Sequence, residues 1–93
     1  MKIDDTLWYM AGESYDDCII WHSESIEIMD IDKFNWYVLS DMKRINDYCI
    51  GRSYYLTQEE LENDFENRWK VKKSEQGTYK TMLIKIPEWL GKV

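Results

Sequence analysis

The chain has 93 residues, of which 44% are hydrophobic, 15% aromatic and 32% charged, and its formal net charge is −6. This length fits a single domain, residues 1–93, and the composition argues against a disordered chain. No apolar run approaches the roughly 18 residues that a membrane helix needs. The acidic start, Met1 to Asp5, predicts no secretory signal. We therefore expect a cytoplasmic protein that does not enter a membrane.

Short runs of β-branched and aromatic residues predict strands in the first half of the chain. These strands cover residues 6–10, 18–22, 25–30 and 35–40, and a turn at 11–14 separates the first two. The last two strands predict a hairpin in which Asp32 and Asn35 are typical turn formers. Residues 40–50 fit a helix and a loop equally well, because their apolar residues recur at helical spacing among polar ones.

The clearest local signal is a capping box that starts at Thr57. Its hydroxyl is placed to accept a hydrogen bond from the amide of Glu60. The box predicts an α-helix over residues 57–68. The apolar stripe of this helix recurs every four residues and consists of Leu61, Phe65 and Trp69.

The end of the chain predicts a second hairpin. Its strands are residues 69–73 and 78–86, and Pro87 ends it because proline cannot donate to a ladder. Trp89 and Leu90 are expected to fold back over an edge of the core, and Trp36, Phe65 and Trp69 are expected inside it. The fold class is therefore α+β, a small antiparallel sheet of about five to six strands with one late helix. A meander and an SH3-like barrel both fit this order of elements.

Metal and cofactor chemistry find little support in the residues. Cys18 and His22 are four residues apart on a predicted strand, about 13 Å, which is too far to hold one ion. The pair Asp30 and Asp32 starts a calcium-loop pattern, but Phe34 then occupies a ligand position. No phosphate-binding glycine motif is present. We therefore expect no metal site and no cofactor.

Two catalytic arrangements are conceivable. His22 is the one imidazole of the chain, and it would act on Cys49 only if the fold brought the two together. Asp41-Met42-Lys43, with Asp30 upstream, matches the D…D-x-K element that holds Mg²⁺ in many nucleases. Acids and lysines are so common in this chain that such a match is expected by chance. We therefore predict no enzyme activity, and we expect Cys18 and Cys49 to be free thiols in a reducing cytosol.

The charge is unevenly distributed along the chain. Residues 1–32 hold nine acids and one base, and residues 57–67 hold five acids and no base. Acids around exposed aromatic anchors speed the encounter with a basic protein surface. We therefore predict a protein partner, a basic nucleic-acid-binding enzyme. The predicted contact residues are Asp16, Asp17, Trp21, Glu24, Glu27, Glu59, Glu62 and Glu66.

An alternative function uses the basic end of the chain. Residues 68–93 hold seven bases and two acids. Arg68, Lys70 and Lys72 would share one face of a predicted strand, with Lys80 opposite, near aromatic rings that stack on single-stranded nucleic acid. The simpler interpretation is an edge hairpin whose lysines prevent aggregation. Direct binding to nucleic acid is therefore the less favoured function, because the whole molecule is acidic.

The overall properties of the chain resemble those of a broad class of small inhibitors. Size, acidity, a compact α+β pattern and a residue usage typical of AT-rich coding are similar to phage-encoded anti-defence proteins, which include anti-CRISPR proteins. Acidic immunity proteins that neutralise toxin nucleases fit the same description. The resemblance concerns overall properties and implies a non-enzymatic inhibitor without assigning a role to any residue.

Overall fold

The computed structural model describes residues 1–82. In chain order, its elements are β1 (Thr6–Ser14), β2 (Cys18–Ile31), β3 (Tyr37–Leu39), β4 (Arg44–Ile45), α1 (Gln58–Trp69) and β5 (Tyr79–Met82). Every pairing between these strands is antiparallel. The predicted α+β fold with one late helix is thus confirmed. Residues 83–86, Pro87, Trp89 and Leu90, for which a strand end and a fold-back are predicted, lie outside the described residues.

The long strand β2 is the centre of the sheet. One edge pairs with β1 from Ile19 to Glu27, and the other edge pairs with β5 at its start and with β3 at its end. Strands β1 to β4 form a meander, β5 adds to β2, and the whole sheet curls into a half-barrel. Two predicted strands are therefore one, since no break separates residues 18–22 from 25–30.

The predicted turn at residues 11–14 is wrong, because β1 runs straight through it. The register is continuous to Ser14, which pairs with Ile19. A Cβ atom on Gly12 would lie 2.7 Å from Cε3 of Trp21, its partner across the strands. Glycine is therefore needed here for close approach of a large ring and not for a turn. The turn falls at residues 15–17, where the Tyr15 amide donates to the Cys18 carbonyl over 2.8 Å.

Two small cores lie on opposite faces of the sheet, because side chains alternate along β2. The first core consists of Leu7, Ile26, Ile28, Tyr37, Leu39 and Ile45, all buried. The second lies under α1, where the Phe65 ring packs against Trp21 and Tyr79 at centroid distances of 5.6 and 5.1 Å. Full burial of one large aliphatic side chain stabilises the fold by about 1.5–3 kcal/mol.

The helix confirms the prediction at its start and extends one residue further at its end. The Thr57 hydroxyl accepts from the Glu60 amide over 3.1 Å, and Leu61 and Phe65 are buried as predicted. At the other end Lys70 is left-handed, with φ 54°, and its amide closes the last turn on the Glu66 carbonyl. The described part of the chain contains no helix that is long and apolar enough to span a membrane.

The strand predicted for residues 69–73 is wrong, and so is the hairpin built on it. Trp69 belongs to the helix, and residues 71–74 form no strand. Strand β5 pairs with β2 instead. The last helical turn carries Trp69 towards solvent, where its side chain is 53% exposed, so its predicted place in the core is also wrong.

The segment between β2 and α1 is held by side-chain caps. The Asp32 carboxylate accepts from the amides of Phe34 and Trp36, and Asn35 is left-handed, so the predicted turn is confirmed. Trp36 is 37% exposed and lies under the Arg44 guanidinium, outside the core in which it was expected. Residues 40–50 form neither a helix nor a plain loop, because β4 and a short 3-10 turn, Asp47–Cys49, occupy them.

The register of β2 is tested by truncating two neighbouring side chains. Ile28 is fully buried and Met29 is 46% exposed. Ile28→Ala is expected to lower the free energy of unfolding by about 2–5 kcal/mol, because it leaves a cavity in the first core. Met29→Ala is expected to change it by less than about 0.5 kcal/mol. Urea unfolding followed by circular dichroism measures both, and equal losses would contradict the register.

Candidate protein-binding surface

The predicted contact acids are spread over three places and do not form one patch. Asp16 and Asp17 lie at the β1–β2 turn, both exposed. Glu13 and Tyr15 beside them are exposed too, and the Tyr15 hydroxyl donates to Glu13 over 3.2 Å. We call these four residues the acidic tip. It adds Glu13 and Tyr15 to the residues that the prediction names, because the turn falls at residues 15–17 and not at 11–14.

Glu24 lies on the face of the first core and takes part in a polar cluster. Its two carboxylate oxygens contact the Tyr9 hydroxyl at 2.7 Å and the His22 Nε2 atom at 2.6 Å. The hydrogen bond from Tyr9, with that from His22, lowers the pKa of Glu24. The same bond raises the pKa of Tyr9 to about 12. Glu24 is therefore committed to contacts within the sheet.

Two of the three helix acids are also committed internally. Glu66 accepts from the Tyr79 hydroxyl over 2.7 Å, and Glu62 pairs with the Lys73 ammonium at 2.6 Å. Burial and the hydrogen bond to Glu66 raise the pKa of Tyr79. Glu59 in the first helical turn and Glu27 on β2 are exposed and available to a partner.

Trp21 is half-buried on the helix side of the sheet. Its indole N–H donates to the Thr81 hydroxyl over 2.8 Å, and one ring face packs on Phe65. The side chain thus links β2, β5 and α1. Its remaining surface lines a cleft beside α1.

The outer edge of β1 has no partner strand beyond Trp8 within residues 1–82. Trp8 exchanges two backbone hydrogen bonds of 2.8 Å with Tyr55, which shows that its N–H and C=O point away from β2. Because these groups alternate along an antiparallel strand, Met10, Gly12 and Ser14 also present theirs outward. This open edge, Met10 to Ser14, runs directly into the acidic tip. Sequence patterning missed it because it placed a turn there.

The residues considered for catalysis stay apart or serve as caps. Asp41 accepts from the Lys43 amide over 3.0 Å and lies 3.7 Å from its ammonium, which is a local turn contact. No group of three or more His, Cys, Asp or Glu side chains within residues 1–82 is placed to hold a metal ion. Cys18 is buried, Cys49 is half-buried, and both are free thiols.

The residues of the alternative nucleic-acid site are not arranged as predicted. Arg68 lies in α1 and pairs with Asp64 at 3.0 Å, while Lys70 caps the helix. Lys72 follows in a segment without strand structure, and Lys80 lies on β5. The shared strand face therefore does not exist.

Comparison of the chain with models of protein families, with curated proteins and with solved structures gives no match.

The Tyr9–Glu24 contact predicts a loss of stability at high pH. The pKa of Tyr9 is about 12 in the folded chain and 10.0 for a free tyrosine, so the folded state holds this proton more tightly. Its contribution is complete below pH 10 and is lost as the pH rises towards 12. The stability difference between the wild type and Tyr9→Phe, measured by urea unfolding, is expected to shrink over this range. Glu24→Gln should lower the pKa of Tyr9, and a difference that is constant with pH would contradict the assignment.

Proposed function

We propose that the chain is a non-enzymatic, cytoplasmic protein that inhibits a nucleic-acid-binding enzyme by occupying its basic site. The observation that carries this proposal is the acidic tip at the end of an open strand edge. Asp16, Asp17 and Glu13 are exposed there, beside the half-exposed ring of Tyr15. Exposed carboxylates around an aromatic ring attract a basic surface and offer it an anchor.

The open edge also supports a mode of contact, the pairing of a partner strand with β1. Natural sheets protect their edges with lysine, proline or bulges. Residues 10–14 contain no lysine and no proline, and their pairing with β2 shows no register shift. An extended strand of the partner would hydrogen-bond to the outward groups of Met10, Gly12 and Ser14, while its basic side chains meet the acidic tip. Backbone pairing and charge would then act at the same place.

Two related roles fit the same surface. An anti-defence inhibitor of the phage type, which includes anti-CRISPR proteins, and an immunity protein against a toxin nuclease would both use this surface against a basic nucleic-acid enzyme. The partner distinguishes them, since it would be a defence enzyme in one case and a toxin in the other. A tagged chain is therefore incubated with nuclease-treated lysate of the source host, and bound proteins are identified by mass spectrometry. A single stoichiometric basic nucleic-acid enzyme is expected, and enrichment of none would count against the proposal in that host.

Charge reversal tests the acidic tip. Asp16→Lys with Asp17→Lys is expected to weaken binding to the captured partner, and more at 50 mM than at 500 mM salt. The reason is that salt screens the interaction between exposed charges, with a screening length of about 10 Å at 0.1 M. Asp4→Lys with Glu75→Lys makes the same change in net charge at exposed acids far along the chain from the tip. Affinity is measured by titration calorimetry. An equal effect of both double variants would show that only net charge matters.

The strand edge is tested at Ser14. Its N–H points away from β2, so Ser14→Pro removes a donor from the open edge without removing a bond to β2. We expect Ser14→Pro to weaken partner binding about tenfold, the effect of losing one hydrogen bond and blocking one edge position. Ser14→Ala is the matched control and keeps the N–H. Equal affinities of the two variants would exclude pairing at this edge.

A further inference from the structure

A cleft on the helix side of the sheet has a chemistry different from that of the acidic surface. Its volume is about 240 Å³, and it lies between α1, the middle of β1 and the segment 52–55. Its lining includes the aromatic residues Trp21, Tyr55, Phe65 and Trp69 and three charged residues, Arg52, Arg68 and Asp64. In a chain of net charge −6, two arginines against one acid make this cleft locally basic.

Trp69 is the residue that the fold itself does not explain. It packs on Phe65 at a centroid distance of 6.1 Å and lines the cleft, yet more than half of its surface is exposed. Its indole N–H makes no hydrogen bond within residues 1–82. The indole N–H of Trp21, in contrast, donates a hydrogen bond to Thr81, and its ring forms part of the cleft wall. A half-exposed indole beside a second aromatic wall is a stacking platform for a planar ring.

The two arginines supply the charge. The Arg68 Nε atom lies 3.0 Å from Asp64, whose carboxylate also accepts from the Tyr55 hydroxyl. This contact uses one of the five guanidinium donors and leaves the terminal nitrogens of Arg68 for another acceptor. Arg52 stacks on Tyr48 at 4.2 Å and makes no ion pair within residues 1–82. Guanidinium groups held in this way match phosphate oxygens geometrically.

We propose that this cleft binds a small planar anion of the nucleoside monophosphate class, whose base stacks on Trp69 and whose phosphate contacts Arg52 and Arg68. The cleft volume of about 240 Å³ lies below the 300–1,000 Å³ of ordinary ligand sites, so the proposed ligand is a single nucleotide unit. The proposal does not depend on the inhibitor function, since the acidic tip contributes no residue to the cleft and the open edge contributes only Met10.

The test is a titration of the whole chain followed by the indole N–H signals in ¹H–¹⁵N NMR spectra, with Trp69→Phe to assign the signal of Trp69. Adenosine 5′-monophosphate is expected to shift this signal to saturation with half-saturation below about 1 mM, a binding free energy of about −4 kcal/mol. Adenosine alone and ribose 5-phosphate alone each offer half of the proposed contacts. Each is therefore expected to bind at least about tenfold more weakly.

Two variants locate the contact. Arg52→Gln is expected to weaken adenosine 5′-monophosphate binding about tenfold, because one charge-assisted contact is lost. Lys72→Gln removes the same charge from an exposed side chain outside the cleft and should leave affinity within about twofold. The proposal is overturned if no saturable shift appears up to about 10 mM ligand. It is also overturned if both variants weaken binding equally, because the interaction is then general charge attraction.

Discussion

The side-chain alternation of β2 is the constraint on which the rest of the molecule depends. In its fourteen residues this strand pairs with three others and turns side chains into both cores. Ile26 and Ile28 point to one face, and Trp21 points to the other. Since the alternation has a period of two, a slip of one residue against β1 would exchange the faces and expose both cores at once. Both small cores therefore depend on the same register.

Within residues 1–82 the half-barrel is not closed. A closed barrel has no edges, whereas here β1 pairs on one side only beyond Trp8 within the described residues. The helix covers the second core and ends at Trp69, which is 53% exposed. The open edge and the arginine-lined cleft are both consequences of this incomplete closure. The open edge and the cleft adjoin, because Met10 is the first residue of the edge and also lines the cleft.

The parts of the fold that sequence reasoning predicted are those fixed by neighbouring residues. The Thr57 cap and the Leu61–Phe65 stripe act within a few turns of one helix, and the Asp32 turn acts within five residues. The parts that it missed depend on residues far apart in the chain. In the sequence Gly12 is typical of a turn, and only the structure shows that the Trp21 ring lies across from it. Trp69 continues a buried stripe only if the sheet extends beneath it. Periodicity describes an element and not the neighbour on which it packs.

The predicted contact acids show the same limit of sequence reasoning. Tyrosine hydroxyls donate to carboxylates across the whole molecule, in the pairs Tyr9–Glu24, Tyr37–Asp47, Tyr55–Asp64 and Tyr79–Glu66. Each of these bonds raises the pKa of its tyrosine and uses a carboxylate as a structural acceptor. Counting charge along the chain cannot separate such acids from exposed ones, which is why Glu62 and Glu66 were grouped with Asp16 and Asp17. Once the internally bonded acids are set aside, exposed acids remain at the hairpin tip, at Asp16 and Asp17, and along β2, at Glu27. The acidic tip and the locally basic cleft then lie towards opposite ends of the open β1 edge, because Met10 lines the cleft and Ser14 adjoins the tip.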